Sequence, residues 1–360
     1  MKMNYSQQNI DMIKALSNAP GPSGFEDAVL EIVRNELGGI CTFEEDRLRN
    51  LYIFRKNHSG SKPVLMLDAH GDEVGFMIHS IKPNGTLRFI KIGGMDNRGL
   101  ASADVLVRTS SGEYIQGTIG LRPPHFSNGS SEPSLDLHEF SIDVGARSAK
   151  EAEEEFGIRI GEPVIPATKC AFDEKHGLFF GKAFDCRIGV AAMISAFRRL
   201  DSLDLPFDVV GVVSSQEEVG DRGIRVAVNK ICPDIAVCFE GCPADDTFTE
   251  PYAIQTAIKC GPMFRYMDRS VICSPRYQRW VLDKAKEYGI KAQASVREGG
   301  GNNGSVINLA DKGVPVVVAG IPVRYIHSRS SITAYEDFEN TAELVSLIAK
   351  DLTPQILETF

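Results

Sequence analysis

The sequence predicts an α/β protein in which a mostly parallel central sheet, flanked by helices, is interrupted by a small inserted β-barrel. Three observations carry this expectation. From Lys182 onward, apolar strand-like runs alternate with helical periods, the pattern of a parallel sheet covered on both faces. Across residues 74–164 the texture changes to short strands separated by turn signals, as in a small barrel. The apolar run Leu65-Met66-Leu67 ends in a loop that holds His70, Asp72 and Glu73, and the carboxyl ends of core strands are where α/β sheets build their sites. The expected organisation is a discontinuous sheet domain, residues 1–73 and 165–360, with residues 74–164 as the inserted barrel. A chain of 360 residues is long enough to bury two cores.

In chain order, a first helix is expected over residues 6–16, stopped by Pro20-Gly21-Pro22. A second is expected from Ser23, where Ser23 and Glu26 form a capping-box pattern, with Val29, Leu30, Val33 and Leu37 on one face and Gly38-Gly39 as its stop. Residues 41–54 read as an edge hairpin with Asn50 near its turn. In the inserted region, period-two alternation runs through residues 105–109 and 114–119 between turn signals such as Pro83-Asn84-Gly85 and Gly93-Gly94. One helix there is opened by the capping box Ser148 to Glu151. The Pro/Ser/Gly-rich run from Pro123 to Pro133 reads as a flexible loop, and neither His125 nor His138 is assigned a metal role. Beyond Lys182 come a helix led by Asp185 to Leu200, a strand over 209–213, a helix after Gly220 and a strand over 235–239. The Trp280 helix stopped by Gly289, a strand over 316–319 and an amphipathic helix over 337–352 close the chain.

Composition narrows the function. Hydrophobic content of 43% and charged content of 24% are those of a globular protein. A net charge of -9 and a pI near 5.4 lack the basic footprint of a nucleic-acid binder. The amino-terminal MKMNYSQQNIDMIKAL has no secretory apolar core, and no run approaches the length of a membrane span. A cytoplasmic protein that engages neither nucleic acid nor membrane is therefore expected. Eight cysteines, mostly inside apolar runs, read as reduced, buried thiols. Cys238 and Cys242 do not have a zinc-ribbon spacing, so the cysteines are set aside as ligands.

The chemistry sits at strand ends. Imidazole is a common zinc ligand, and a carboxylate two residues on, Asp72, can hold the second ring nitrogen of His70 and fix its tautomer. FDCRIG places Asp185 just before a helix, either as an N-cap with Arg187 as its ion-pair partner or as a carboxylate aimed at a metal. VVSSQEEVG leaves Glu217 and Glu218 side by side after a core strand, a costly pairing unless a cation or a proton compensates one of them. One could bind metal while the other acts as a base. Glu240 ends the run VCF, and His327 ends RYIHS. His70, Asp185, Glu218, Glu240 and His327 form an N/O donor set suited to zinc, cobalt or manganese.

These stretches resemble, in order, the M42 family of metallo-aminopeptidases: PGPSGFE at 20–26, HGDEVGFMI at 70–78, FDCRIG at 184–189, QEEVGDRG at 216–223, FEGCPADDT at 239–247 and IPVRYIHS at 321–328. The resemblance spans nearly the whole chain. It implies a zinc-peptidase-like sheet domain and a β-domain that shapes the site and takes part in oligomer contacts. It also implies two divalent metals per subunit, zinc first and cobalt or manganese as alternatives. Asp185 would bridge them, with His70 and Glu240 on one metal and Glu218 and His327 on the other. Glu217 would be the general base, with Asp72 behind His70. Short peptides trimmed from the amino end would be the substrates, and a homo-oligomer, with a dodecamer as one form, the expected assembly. The chain departs from the family pattern at Glu240, where many relatives have Asp, at Cys186, where Asp or Asn is usual, and at GGGNNGS, 299–305, where a Gly-Thr-Asp run is commoner. Three rival functions stand beside this one: another amide-bond metallohydrolase of deacylase or carboxypeptidase type, a catalytically silent metal-binding assembly protein, and a glycanase, for which a dinuclear site is not the usual two-carboxylate arrangement.

Overall fold

Helix α1 (Gln7–Asn18) and helix α2 (Asp27–Leu37) precede a hairpin of β1 (Cys41–Glu45) and β2 (Leu51–Arg55) and the strand β3 (Val64–His70). The chain then leaves the sheet to build β4 (Gly75–Ile81), β5 (Leu87–Ile92), β6 (Asp104–Arg108), β7 (Tyr114–Gly120), β8 (Ser141–Asp143), α3 (Ala149–Glu154) and β9 (Pro163–Pro166). It returns through β10 (Ala171–Asp173), β11 (Leu178–Gly181), α4 (Phe184–Leu200), β12 (Asp208–Ser214), α5 (Arg222–Ile231), β13 (Ile235–Pro243), β14 (Met263–Met267) and α6 (Pro275–Glu287). The last elements are β15 (Gln293–Val296), α7 (Gly304–Asn308), β16 (Val316–Arg324), β17 (Ser331–Ala334), α8 (Tyr335–Asp351) and α9 (Pro354–Leu357). This computed structural model describes residues 5–121, 124–126 and 136–360, so most of the expected loop between Pro123 and Pro133 lies outside the described residues.

Eleven strands make one sheet, ordered β1-β2-β12-β3-β13-β16-β17-β11-β10, with β14 branching from β16 and carrying β15. Its centre, β12, β3, β13 and β16, is parallel, and the strands flanking that centre pair antiparallel. The central strands are apolar on both faces because both are covered. Leu65, Leu67 and Ala69 of β3 join the core built with α1, α4 and α8, while Met66 joins the core beneath α5 and α7. Helix α4 is buried on nearly every side, as its almost uninterrupted apolar sequence requires. The inserted strands close as β4-β5-β8-β7-β6-β9 around Phe76, Leu87, Val107 and Ile119, which leaves the barrel without an open edge.

The α/β class with its inserted barrel is therefore as the sequence predicts, and Ser148 caps α3 by accepting the Glu151 N–H, while the Glu151 carboxylate accepts the N–H of Arg147 rather than that of Ser148. The capping box at Ser23 does not form. Helix α2 begins at Asp27 without a side-chain cap, because the Ser23 hydroxyl donates instead to the buried carboxylate of Asp72 at 2.6 Å. Strands β13 and β16 also run several residues past their apolar stretches, since both continue pairing with each other to Pro243 and Val323.

A buried ionic cluster locks the amino-terminal segment to the sheet. Glu73 accepts from Lys182 Nζ at 2.6 and 2.7 Å and lies 3.5 Å from Arg187 Nη2, and all three side chains are shut off from solvent. Arg187 also donates to the carbonyls of Leu16, Ala19 and Gly21, so the end of α1 is fixed against the start of α4. Burial lowers the Lys182 pKa, and only the Glu73 charge keeps the ammonium worth its desolvation. Replacing Glu73 by Gln should therefore lower the unfolding free energy by about 3–5 kcal/mol in chemical denaturation. Removing the exposed Arg49 that pairs with Asp27 should cost less than about 1 kcal/mol. Equal losses in the two variants would contradict this account of the cluster.

Candidate metal centre

Strand β3 carries His70 to the carboxyl edge of the sheet, between β12 and β13, and the ring is almost fully buried. The next residue must be small: a Cβ on Gly71 would stand 2.8 Å from Val213 Cγ1 of the neighbouring strand. Asp185 lies in the first turn of α4, where it and Cys186 leave helical geometry and the peptide between them is cis. That turn presses on β13 so closely that a Cβ on Gly241 would fall 2.6 Å from the Phe184 carbonyl and 2.7 Å from Asp185 Cα. Glycine at 241 thus allows Asp185 to sit beside Glu240. Glu217 and Glu218 leave the end of β12 in a turn opened by Gln216, whose φ is +56°. His327 follows β16 on a backbone that is likewise left-handed.

These ends meet. His70 Nε2 is 3.1 Å from Asp185 Oδ1, 3.7 Å from Glu240 Oε1 and 3.9 Å from Glu217 Oε2. His327 Nε2 is 2.9 Å from the other oxygen, Asp185 Oδ2, and 3.3 Å from Glu218 Oε1. Donors about 2.0–2.2 Å from a tetrahedral cation stand roughly 3.3–3.6 Å from one another, so both sets have the spacing that donor atoms adopt around a small ion. The charge balance points the same way. Burial, then the Asp185 charge, pushes the Glu240 carboxyl up to about 8, and burial with the neighbouring carboxylates raises Glu217 and Glu218. Against the desolvation that lowers it, Asp185 and Glu218 draw His327 up to about 11. Oxygens Glu218 Oε1 and Glu240 Oε2 are buried without a hydrogen bond. A buried cluster this rich in carboxylate, with lone pairs left over, fits divalent cations bound through oxygen and imidazole nitrogen.

Asp72 is the support beneath it. One oxygen lies 3.3 Å from His70 Nδ1 and accepts the Glu217 N–H at 2.9 Å, while the other accepts the Ser23 hydroxyl and the Glu218 N–H at 3.1 Å. Although burial raises its pKa, the adjacent His70, and after it the Ser23 and Glu217 bonds, hold the carboxyl below its usual range. On the other side of the ring, His70 Nε2 faces Asp185 Oδ1 at 3.1 Å. The alternative reading of Asp185 as an N-cap paired to Arg187 is not what forms, because Arg187 points away to Glu73.

The structure also adds residues that sequence reasoning passed over. Cys186, set aside as a ligand, offers a sulfur within 4.8 Å of donor atoms on His70, Asp185 and Glu240, though its thiol donates to the Phe239 carbonyl. Nothing in an apolar-run reading of the cysteines distinguishes it, except that it follows Asp185. The turn Gly93-Gly94 brings barrel backbone against the site, where a Cβ on Gly93 would lie 3.0 Å from Glu218 Oε2. Arg265, Asp245 and Arg297 join Asp185, Glu217 and Glu240 around a cavity of about 920 Å³ that opens over the cluster. Among the described residues no helix is long and apolar enough to cross a membrane.

A family profile described as M42 glutamyl aminopeptidase matches residues 50–344. A glutamyl aminopeptidase of Lactococcus lactis subsp. cremoris is 31% identical over 350 residues, covering 96% of this chain and 97% of that protein. Among solved structures, a TET aminopeptidase from the marine sediment archaeon Thaumarchaeota archaeon SCGC AB-539-E09 superposes with a TM-score of 0.93 at 32% identity and 98% coverage of both chains. A TET1 peptidase of Pyrococcus horikoshii, described as able to assemble into a tetrahedron or a large octahedral shell, gives 0.86 at 28% identity, covering 96% of this chain and all of that one.

If the cluster takes cations, zinc added to metal-free protein should raise the thermal midpoint by about 5 °C at a concentration well above the dissociation constant. Asp185→Ala, which removes the one carboxylate common to both donor sets, should abolish that rise. Calorimetry that finds the same midpoint with and without zinc in the intact chain would show that the cluster holds no ion.

Proposed function

The chain belongs to the M42 glutamyl aminopeptidase family and is a peptide-bond hydrolase, and on that premise we propose a dinuclear metallo-aminopeptidase that removes residues from the amino ends of short peptides. The observation that supports it most directly is the way the two oxygens of Asp185 face two separate histidine–glutamate pairs. In this reading His70 and Glu240 hold one ion, Glu218 and His327 hold the other, and Asp185 serves both. Zinc suits the set best, with cobalt or manganese as alternatives. When bound, such ions supply Lewis-acid chemistry, polarising a carbonyl and acidifying water.

The chain's own residues do the rest. The cavity over the cluster is the space for a peptide end, lined by Asp245 and Glu298 and by Arg265 and Arg297 above the donor residues. Glu217 lies next to His70 and lines that cavity. It takes the proton of the attacking water and passes it to the departing amine, the work of a positioned general base. Asp72 keeps the His70 tautomer fixed and holds the amides of Glu217 and Glu218. Residues 1–73 and 165–360 make up the catalytic unit and residues 74–164 the barrel unit, whose Gly93-Gly94 turn walls the site. By analogy with the TET1 peptidase described above and with a TET1 structure described as a dodecamer, the subunits form a closed homo-oligomer, a dodecamer in the simplest case.

Chelation should abolish hydrolysis of free-amine peptides, and divalent metal should restore it; full turnover in metal-free protein would refute the proposal. Glu217→Gln should keep bound metal and lose roughly 10²-fold or more in kcat. Glu218→Gln should lose metal as well, and equal metal content in the two variants, by elemental analysis, would show the division of roles to be wrong. Light scattering should give a mass of many subunits, whereas 39.4 kDa independent of dilution would rule the assembly out.

A further inference from the structure

The stretch PGPSGFE at residues 20–26 contributes nothing to the donor cluster, yet it reaches the cluster from behind. Three successive amides of the turn that carries Glu217 and Glu218 are held by two buried carboxylates. The Gln216 N–H donates to Glu26 Oε1 at 3.2 Å, and the Glu217 and Glu218 N–H groups donate to the two oxygens of Asp72. Ser23 completes the grip by donating to Asp72. Glu26 folds back into this position because Gly24, at a φ of +91°, lets the loop turn sharply enough for its own N–H to reach Glu26 Oε1 at 2.8 Å.

The α2 helix does not account for Glu26. It stands at the N-cap position with no side-chain bond to the helix, it is only 1% exposed, and its second oxygen is buried with no partner. A carboxylate in such a place is costly unless its remaining bonds matter. The bond that matters most is to Gln216, whose backbone is left-handed at a φ of +56°, a region side chains other than glycine rarely adopt. Without an acceptor at Glu26 the Gln216 amide loses its partner while Asp72 still holds those of Glu217 and Glu218, so residue 216 can relax toward negative φ and shift the carboxylate of Glu217 relative to His70.

We propose that Glu26 is a positioning residue for the hydrolytic reaction, fixing the turn at residues 216–218 so that Glu217 faces the cavity beside His70. This rests on the roles proposed above for Glu217 and Glu218. Burial, with help from the Asp72 charge, pushes the Glu26 carboxyl up to about 7, so a neutral amide is a fair stand-in for it.

The test uses the full-length metal-loaded protein as wild type, E26A, E26Q and E26D, and measures kcat and KM on a free-amine dipeptide together with amide hydrogen exchange over residues 215–219. E26A should lower kcat roughly 10- to 100-fold, the size of effect expected from a misplacement of about 1 Å, with KM within about twofold. It should also speed exchange at Gln216. E26Q keeps an acceptor oxygen in place and should restore both kcat and protection to within about threefold of wild type. E26D falls a methylene short of Gln216 and should match E26A; it carries the test if E26A does not fold. Wild-type kcat or wild-type protection in E26A or E26D overturns the proposal, and so does an E26Q as slow as E26A. A wild-type protein that cleaves no free-amine peptide would instead refute the peptidase reading, and the exchange comparison alone would then decide whether Glu26 holds the turn.

Discussion

Like charge gathered in a buried place is the constraint to which the rest of this molecule answers. Asp185, Glu217, Glu218 and Glu240 arrive from α4, the β12 turn and β13 at one point, with His70 and His327 between them. Carboxylates so close and so dry repel one another and resist ionisation, as the raised pKa values of Glu217, Glu218 and Glu240 record. The fold offsets this with donors. Asp72 is bonded on both oxygens, the amides of the 216–218 turn point inward, and the imidazoles are drawn toward their charged forms. Such a site has a strong electrostatic reason to take up cations.

Neighbouring residues divide the labour because the backbone at each strand end is irregular. Asp72 turns toward His70, whereas Glu73, next in the chain, turns the other way to Lys182 and Arg187. The consequence is electrostatic as well as structural. Three buried cations near the site are engaged elsewhere, Lys182 by Glu73, Arg187 by Glu73 and carbonyls at the α1 end, and Arg265 by Asp268, so none of them is paired with Asp185. Asp185 is left to the two histidines. The same segregation recurs at α4, where Cys186 bonds the Phe239 carbonyl and Arg187 points into the amino-terminal segment.

The barrel is more than an appendage. It leaves the sheet directly after the His70 loop, and its Gly93-Gly94 turn comes back against Glu218 and His327. The cavity over the cluster is lined from the sheet domain, by Arg265, Arg297 and residues 299–301 among others. Its lining comes from segments spread between Asp185 and His327, which is why the motifs alone do not name the preferred first residue of a substrate.

Much of the architecture was legible in the sequence because local chemistry and global fold agree. Runs such as Leu65 to Leu67 and Val316 to Ala319 are apolar at every position only if both sheet faces are covered, and a polar residue ending such a run belongs at a sheet edge. That argument singled out His70, Asp185, Glu217, Glu218, Glu240 and His327 as residues that need partners. What no local rule could decide was the partner of each. The Ser23–Glu26 pattern reads as a helix cap, yet both side chains are recruited across the fold, by Asp72 and by the Gln216 amide. Arg187 reads as a partner for Asp185, yet it serves Glu73 and three carbonyls. Hydrogen-bond pattern and spacing in a sequence fix what a side chain can do, but only the packing of α4 against β13 and of the 20–26 loop against the 216–218 turn determines which of several equivalent donors and acceptors lies within three ångströms or so of it.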